Sequence, residues 1–264
     1  MPYIRNGNLP ARAILSKQNE RKKVSKQKIM NIIVTGASRG IGYQTVLQLA
    51  KSAGNRIIAL ARDHEQLTRL QLESRKVQPE SEVIPLVFDL QQTSSYDDAL
   101  IPQIKGHFTS ADILINNAGL LVNRTFEQLT LLEMVQMLTV NFIAPAYLTK
   151  LIIPLMTKGG HVVNISSMGG FQGSQKFKGL SIYSASKAAL ASLSECLAEE
   201  YINKGISFNC LALGATDTEM MRAAFPGYNA PIKPNEMAKF IAEFAIEGNK
   251  YFNGKIIPVS TSTP

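Results

Sequence analysis

The chain has 264 residues, 45% of them apolar and 18% charged, which suits a large α/β domain with a substantial core and excludes a disordered or fibrous polypeptide. The net charge of +8 suggests a nucleic-acid partner, but eight of the 28 Lys and Arg residues and one of the 20 acids, Glu20, precede Met30. The body is therefore nearly neutral, and residues 1–29 read as a basic, solvated N-terminal extension with at most weak nucleic-acid contact.

From Met30 onward, short runs rich in Ile, Val and Leu alternate with longer helical patterns. The run 31–35 leads into Thr35-Gly36-Ala37-Ser38-Arg39-Gly40-Ile41-Gly42 and a helical stretch over 41–53. A run over 56–61 ends in Ala61-Arg62-Asp63 and is followed by helix 63–76, and a run over 83–88 ends in Asp89-Leu90 before helix 94–107. The run 112–115 continues into Asn116-Asn117-Ala118-Gly119, and helix 127–156 follows with Asn141 inside it. The run 160–165 ends at Ser166-Ser167, and helix 182–203 carries Tyr183 and Lys187, with Leu190, Leu193, Leu197 and Tyr201 stepping by three and four. Runs at 206–211 and 255–259 flank a final helix over 234–246.

Nearly continuous apolar runs predict strands covered on both faces. Their repeated alternation with helices predicts one Rossmann-like, doubly wound parallel sheet of about seven strands spanning 30–264. The longest uncharged stretch, 134–149, contains Gln136, Asn141 and Pro145 and reads as too short and too polar for a bilayer span. No apolar run of signal-peptide length precedes the body. Cys196 and Cys210 show no CxxC spacing and read as free core thiols of a reducing, cytoplasmic compartment, and the three scattered histidines suggest no metal.

Two patterns carry chemistry. A glycine-rich turn between a strand and a helix lets the backbone approach a pyrophosphate and presents the N–H groups and positive dipole end of the helix to it. Tyr183 and Lys187 are four apart, on one face of a helix, so an ammonium can reside beside a phenol. An ordinary tyrosine titrates near ~10. A neighbouring cation favours the phenolate and makes the residue a usable acid or base near neutrality.

With Gly-x3-Gly-x-Gly followed far downstream by Tyr-x3-Lys, the chain resembles the classical short-chain dehydrogenase/reductase family over about residues 30–260. The resemblance implies a cofactor site built from Gly36, Ser38, Arg39, Gly40, Ile41 and Gly42, from Asp89 and Leu90 beside the adenine, from Asn117, Ala118 and Gly119, and from Gly214, Thr216 and Thr218 near the nicotinamide, with Tyr183 and Lys187 adjoining it. It implies a catalytic set of Asn141, Ser167, Tyr183 and Lys187, with Asn141 holding a water in a proton relay. Strand register favours Ser167 over the adjacent Ser166. Two departures stand out: Leu213-Gly214 replaces the family's frequent Pro-Gly, and the C-terminal end lacks the frequent Val-Asp-Gly-Gly.

The implied activity is interconversion of a carbonyl and an alcohol by hydride transfer, the alternative being a nucleotide-binding regulatory protein with little turnover. Arg39 and Arg62, with Ala61 where a ribose-binding acid would stand, favour NADP(H), while neighbouring Asp63 leaves NAD(H) open. Residues 168–182 and 215–234 are expected to line a partly apolar substrate pocket, with Lys176 and Lys178 able to favour an acidic substrate. Family resemblance also implies a homodimer or homotetramer formed through the helices at 127–156 and 182–203.

Overall fold

The computed structural model describes residues 29–261, so positions 1–28 of the basic extension lie outside the described residues. β1 (Asn31–Thr35), β2 (Arg56–Ala61), β3 (Glu82–Val87), β4 (Ala111–Asn116), β5 (Met156–Ser167), β6 (Ser207–Leu213) and β7 (Lys255–Val259) form one sheet in the order β3-β2-β1-β4-β5-β6-β7. Every neighbouring pair is parallel. Successive side chains of a strand point to opposite faces, and β1 shows the consequence. Ile32 and Val34 join one apolar cluster with Val46, Leu49, Leu67 and Ile241, whereas Ile33 joins a second with Ile104, Leu148 and Ile152.

Helices α1 (Gly40–Leu49), α2 (His64–Val77) and α8 (Pro234–Glu247) cover the first face. The second is covered by α3 (Ile101–His107), α5 (Ala144–Ile152) and α6 (Ser181–Glu200), with α4 (Leu131–Leu138) leading into α5. The chain leaves β1 for β2 and β3 on one side and returns to β4 on the other. Crossovers from β1 and β4 therefore diverge, and a crevice opens at their C-terminal ends where ligands bind in such sheets.

Several expected elements are reshaped. The helix expected from residue 127 starts at Leu131, where Thr130 and Glu133 cap each other reciprocally. A π-helical turn, Thr139–Ile143, then separates α4 from α5. The stretch expected as helix 94–107 begins with a 3-10 turn and a π turn over Tyr96–Leu100, because the buried Tyr96 hydroxyl is drawn to the Leu90 carbonyl at 2.8 Å. A six-residue helix, α7 (Glu219–Ala224), stands where only a pocket wall was expected.

The uncharged stretch 134–149 belongs to a longer helical run, Leu131–Leu155, which is 25 residues long and has a mean hydropathy of 1.4. By length and composition it could cross a membrane, contrary to the expectation from its uncharged part alone. It buries Met137, Asn141, Leu148 and Ile152 and leaves Leu131, Leu132, Val135 and Ile143 exposed. Cys210 lies in the core as expected, but Cys196 is exposed, since it falls on the face of α6 opposite the buried Leu190, Ser194 and Ala198.

Candidate active site

At the end of β1 the Thr35 hydroxyl accepts hydrogen bonds from the N–H groups of Asn117 and Ala118, both at 3.0 Å. Asn117 returns two bonds from Nδ2, to the carbonyls of Thr35 and Gly36 at 2.9 and 3.2 Å. The segment after β4 thus clamps the glycine loop. Gly36 has φ +67° and its Cβ position lies 2.7 Å from the Ala118 Cα, so a side chain is excluded there. Arg39 stands at the N-cap of α1 without a side-chain bond to the helix, which leaves the first N–H groups without a side-chain acceptor. An uncapped helix end behind a glycine-rich loop fits a dinucleotide pyrophosphate, with Ser38, Gly40, Ile41 and Gly42 around it.

The charged residues along the crevice take defined partners. Arg39 pairs with Glu219 of α7 at 3.2 Å, and both are exposed. Arg62 stands 3.9 Å from Asp89, whose carboxylate also accepts from the Gln91 N–H, while Leu90 is buried beside them. Asp63 is the N-cap of α2 and accepts from the Gln66 N–H at 3.1 Å, so its carboxylate is turned into its own helix.

Farther along the crevice, β5 separates its two terminal serines by alternation. Ser166 is buried and donates to the Lys187 carbonyl at 2.8 Å. Ser167 accepts from the Gly169 N–H at 3.2 Å and lies close enough to the Tyr183 phenol to influence its titration. Lys187 is 3% exposed and its Nζ donates to the Ile165 carbonyl at 2.8 Å. Burial pushes the Lys187 ammonium down to about 8. Cys210 is driven up to about 12 by burial and remains a neutral thiol, so it supplies no counter-charge.

The phenol of Tyr183 is shifted upward by burial, and the neighbour that pulls it down is Ser167. Lys187, expected to lower the phenol's pKa, donates its ammonium hydrogen to the Ile165 carbonyl instead of to the phenol. Gly119 lies between the groups, its Cβ position 3.5 Å from both the Asn141 Oδ1 and the Lys187 Nζ. Asn141 accepts from the Leu120 N–H at 2.7 Å and donates to the Leu120 carbonyl at 2.8 Å and to the Ser186 hydroxyl at 3.0 Å. Both of its amide hydrogens are therefore used, and a water could reach its side chain at Oδ1 alone.

The wall beyond β6 is assembled from residues far apart in sequence. Gly214 packs on Ser260, the Thr216 hydroxyl lies 3.4 Å from the Gly214 carbonyl, and Thr218 caps α7 by accepting from the Met221 N–H. Asn123 ties α7 to the loop after β4 through the Ala224 carbonyl at 2.8 Å. Neither the Asn123 tie nor the Arg39–Glu219 pair has a sequence signal, since the partners are 101 and 180 residues apart. Lys176, one of the two lysines able to favour an acidic substrate, bonds the Phe171 carbonyl and the Ser174 hydroxyl within its own loop.

A family profile described as short chain dehydrogenase matches residues 30–229. The chain belongs to that family. Among its relatives is the ketoacyl reductase HetN of a Nostoc species, 31% identical over 209 residues that cover 76% of this chain and 70% of that one. The NADP-dependent 3-hydroxy acid dehydrogenase of Schizosaccharomyces pombe is 29% identical, covering 80% of this chain and 84% of its own. A short chain dehydrogenase from Burkholderia cenocepacia, solved in complex with NADP, superposes with a TM-score of 0.78 at 25% identity, over 87% of this chain and 95% of that one. As a short-chain dehydrogenase, this oxidoreductase has its crevice where the fold binds NAD(P).

Proposed function

We propose that this chain is an NADP(H)-dependent oxidoreductase that interconverts a carbonyl and an alcohol with Tyr183 as the acid and base. The observation that carries the reading is the convergence at the strand ends of Ser167, held by the Gly169 N–H, with buried Lys187 and the clamped glycine loop, Gly119 lying between Asn141 and the Lys187 ammonium. A bound nicotinamide supplies or accepts the hydride. Tyr183 then delivers a proton to the substrate oxygen, or removes it in the opposite direction. Ser167, held by the Gly169 N–H, donates its hydroxyl hydrogen to that oxygen and stabilises its developing charge. Lys187 holds a buried positive charge nearby, and Gly119, having no side chain, leaves room beside it.

Preference for NADP(H) is supported by Arg39 in the glycine loop, by Arg62 just after β2 and by the engagement of Asp63 in capping α2. A carboxylate facing the ribose would repel a 2′-phosphate, whereas guanidinium groups bind it. The names of the two relatives, a ketoacyl reductase and a 3-hydroxy acid dehydrogenase, support ketoacyl and 3-hydroxy acid compounds as first candidates. The reading includes a cytoplasmic homo-oligomer, dimer or tetramer, that covers the exposed Leu131, Leu132, Val135 and Ile143.

A panel of carbonyl substrates followed by NADPH absorbance tests the proposal. Tyr183→Phe is expected to lower kcat by at least about a hundredfold. Turnover that survives this change overturns the acid, and kcat/KM with NADH equal to or above that with NADPH overturns the cofactor preference.

A further inference from the structure

The first turn of α6, which carries Tyr183, has weak support of its own. Leu180 occupies the N-cap without a side-chain bond, and the first turn holds no acid. The preceding loop passes through Gly173 and Gly179, both at positive φ. A helix end of this kind frays unless another group holds it.

Ser186 supplies that hold. It is fully buried, donates to the Tyr183 carbonyl at 2.7 Å and accepts from the Asn141 Nδ2 at 3.0 Å. Asn141, equally buried, is fixed by both backbone groups of Leu120, the residue after Gly119. It lies in the π-helical turn between α4 and α5. A continuous chain of hydrogen bonds therefore runs from the loop after β4, through Asn141 and Ser186, to the backbone of Tyr183.

We infer that Ser186 is a positioning residue that holds the Tyr183 turn in register with Ser167 and the loop after β4. The inference rests on the proposal that Tyr183 is the acid. A serine bonding back within its own helix can be a purely local feature, and α6 contains the control. Ser194 is also fully buried, donates to the Leu190 carbonyl at 2.9 Å and accepts from the Asn164 Nδ2 at 2.9 Å. The local chemistry matches, but Ser194 lies about two turns farther from Tyr183. Either Ser→Ala change removes a back-bond and leaves a buried asparagine hydrogen without its partner.

Ser186→Ala, Ser194→Ala and Tyr183→Phe are compared for Tm, for KM of NADPH and for the pH dependence of kcat in the oxidative direction. Both serine variants are expected to lower Tm by similar amounts. Ser186→Ala is expected to lower kcat about tenfold, leave the KM of NADPH within about twofold and move the acid limb of the profile to higher pH. The limb moves upward because a displaced phenol loses the Ser167 contact that favours its ionised form. Ser194→Ala is expected to leave kcat and the limb unchanged. Equal kcat losses in the two serine variants, or an unmoved limb in Ser186→Ala, overturn the positioning role. If Ser186→Ala does not fold, Ser186→Cys keeps a weak donor of similar size and is expected to lower kcat about threefold, and no loss overturns the role. Loss in Tyr183→Phe without loss in the Ser186 variant sinks the positioning role alone, whereas turnover that survives Tyr183→Phe sinks the underlying reading as well.

Discussion

Lys187 is the residue at which stability and chemistry pull in opposite directions. Its ammonium is buried and donates to the Ile165 carbonyl, and the neighbouring Cys210 is a neutral thiol. The folded-state value of about 8 lies below the usual lysine range near ~10.4. The folded state thus prefers the neutral amine. The stabilisation it gives is present above about pH 10.4 and is lost as the pH falls through about 8, leaving a buried charge at neutrality. Lys187→Met keeps similar length and removes that charge, so it is expected to stabilise the protein by roughly 1–3 kcal/mol at pH 7, less at pH 10, and to lower kcat by at least about a hundredfold. Urea unfolding at the two pH values, alongside turnover, checks this. A variant less stable than the parent at pH 7 contradicts the argument. Retaining such a charge against stability is expected of a functional group and is hard to explain for a structural one.

The glycine loop and α1 show how much of an element is legible before its contacts are known. Gly36, Gly40 and Gly42 between an apolar run and a helix identified the loop because the backbone must turn and stay bare. Which glycine excludes a side chain outright depends on tertiary contacts. A Cβ at Gly42 would lie 2.3 Å from both the Gly36 carbonyl oxygen and the Asn117 Nδ2. Alanine normally improves a helix by ~1 kcal/mol over glycine, but this overlap reverses the sign, and Gly42→Ala is expected to destabilise by about 1–3 kcal/mol. Gly106 in α3 meets nothing within 4 Å, so Gly106→Ala is expected to stabilise by about 0.5–1 kcal/mol. Thermal melts of the two variants check this pair, and shifts of the same sign contradict it. Strands were legible for a similar reason: the runs at 31–35 and 56–61 coincide with β1 and β2, since strands covered on both faces are nearly apolar throughout, and the run at 255–259 coincides with β7 although that edge strand is only partly buried. The π turn around Asn141 and the six-residue α7 escaped because neither has a hydrophobic period. Asn141 and Ser167 stood out as candidate site residues, whereas their partners Leu120 and Gly169 contribute backbone groups that no residue type announces.

At the scale of the whole molecule, His161 joins elements that the chain order keeps apart. Its Nδ1 faces the Ala245 carbonyl of α8 at 2.9 Å, and a carbonyl can only accept, so Nδ1 carries the proton. Nε2 then accepts from the Asn209 Nδ2 of β6 at 3.0 Å. Asn209 also donates to the Phe252 carbonyl and accepts from the Lys255 N–H, which fixes the approach to β7. One neutral imidazole thus ties β5, β6, β7 and α8 together. Its partners lie 84 and 48 residues away, which explains why the sequence shows His161 merely as an isolated histidine. Burial pushes it down to about 4, against an ordinary value near ~6.5. Because the folded value is the lower one, the stabilisation is complete above about pH 6.5 and is lost as the pH falls through 4. The difference corresponds to on the order of 3 kcal/mol. Protonation would also place a hydrogen on Nε2 against the Asn209 amide donor, so the join itself is expected to open with acid. Unfolding free energies measured at pH 7, 5.5 and 4 for the parent and for His161→Gln check this. Glutamine does not titrate in that range, so the variant is expected to be less stable at pH 7 but to lose on the order of 3 kcal/mol less than the parent between pH 7 and 4. Parallel loss in the two proteins would show that carboxylates alone carry the acid sensitivity and that the imidazole join stays closed.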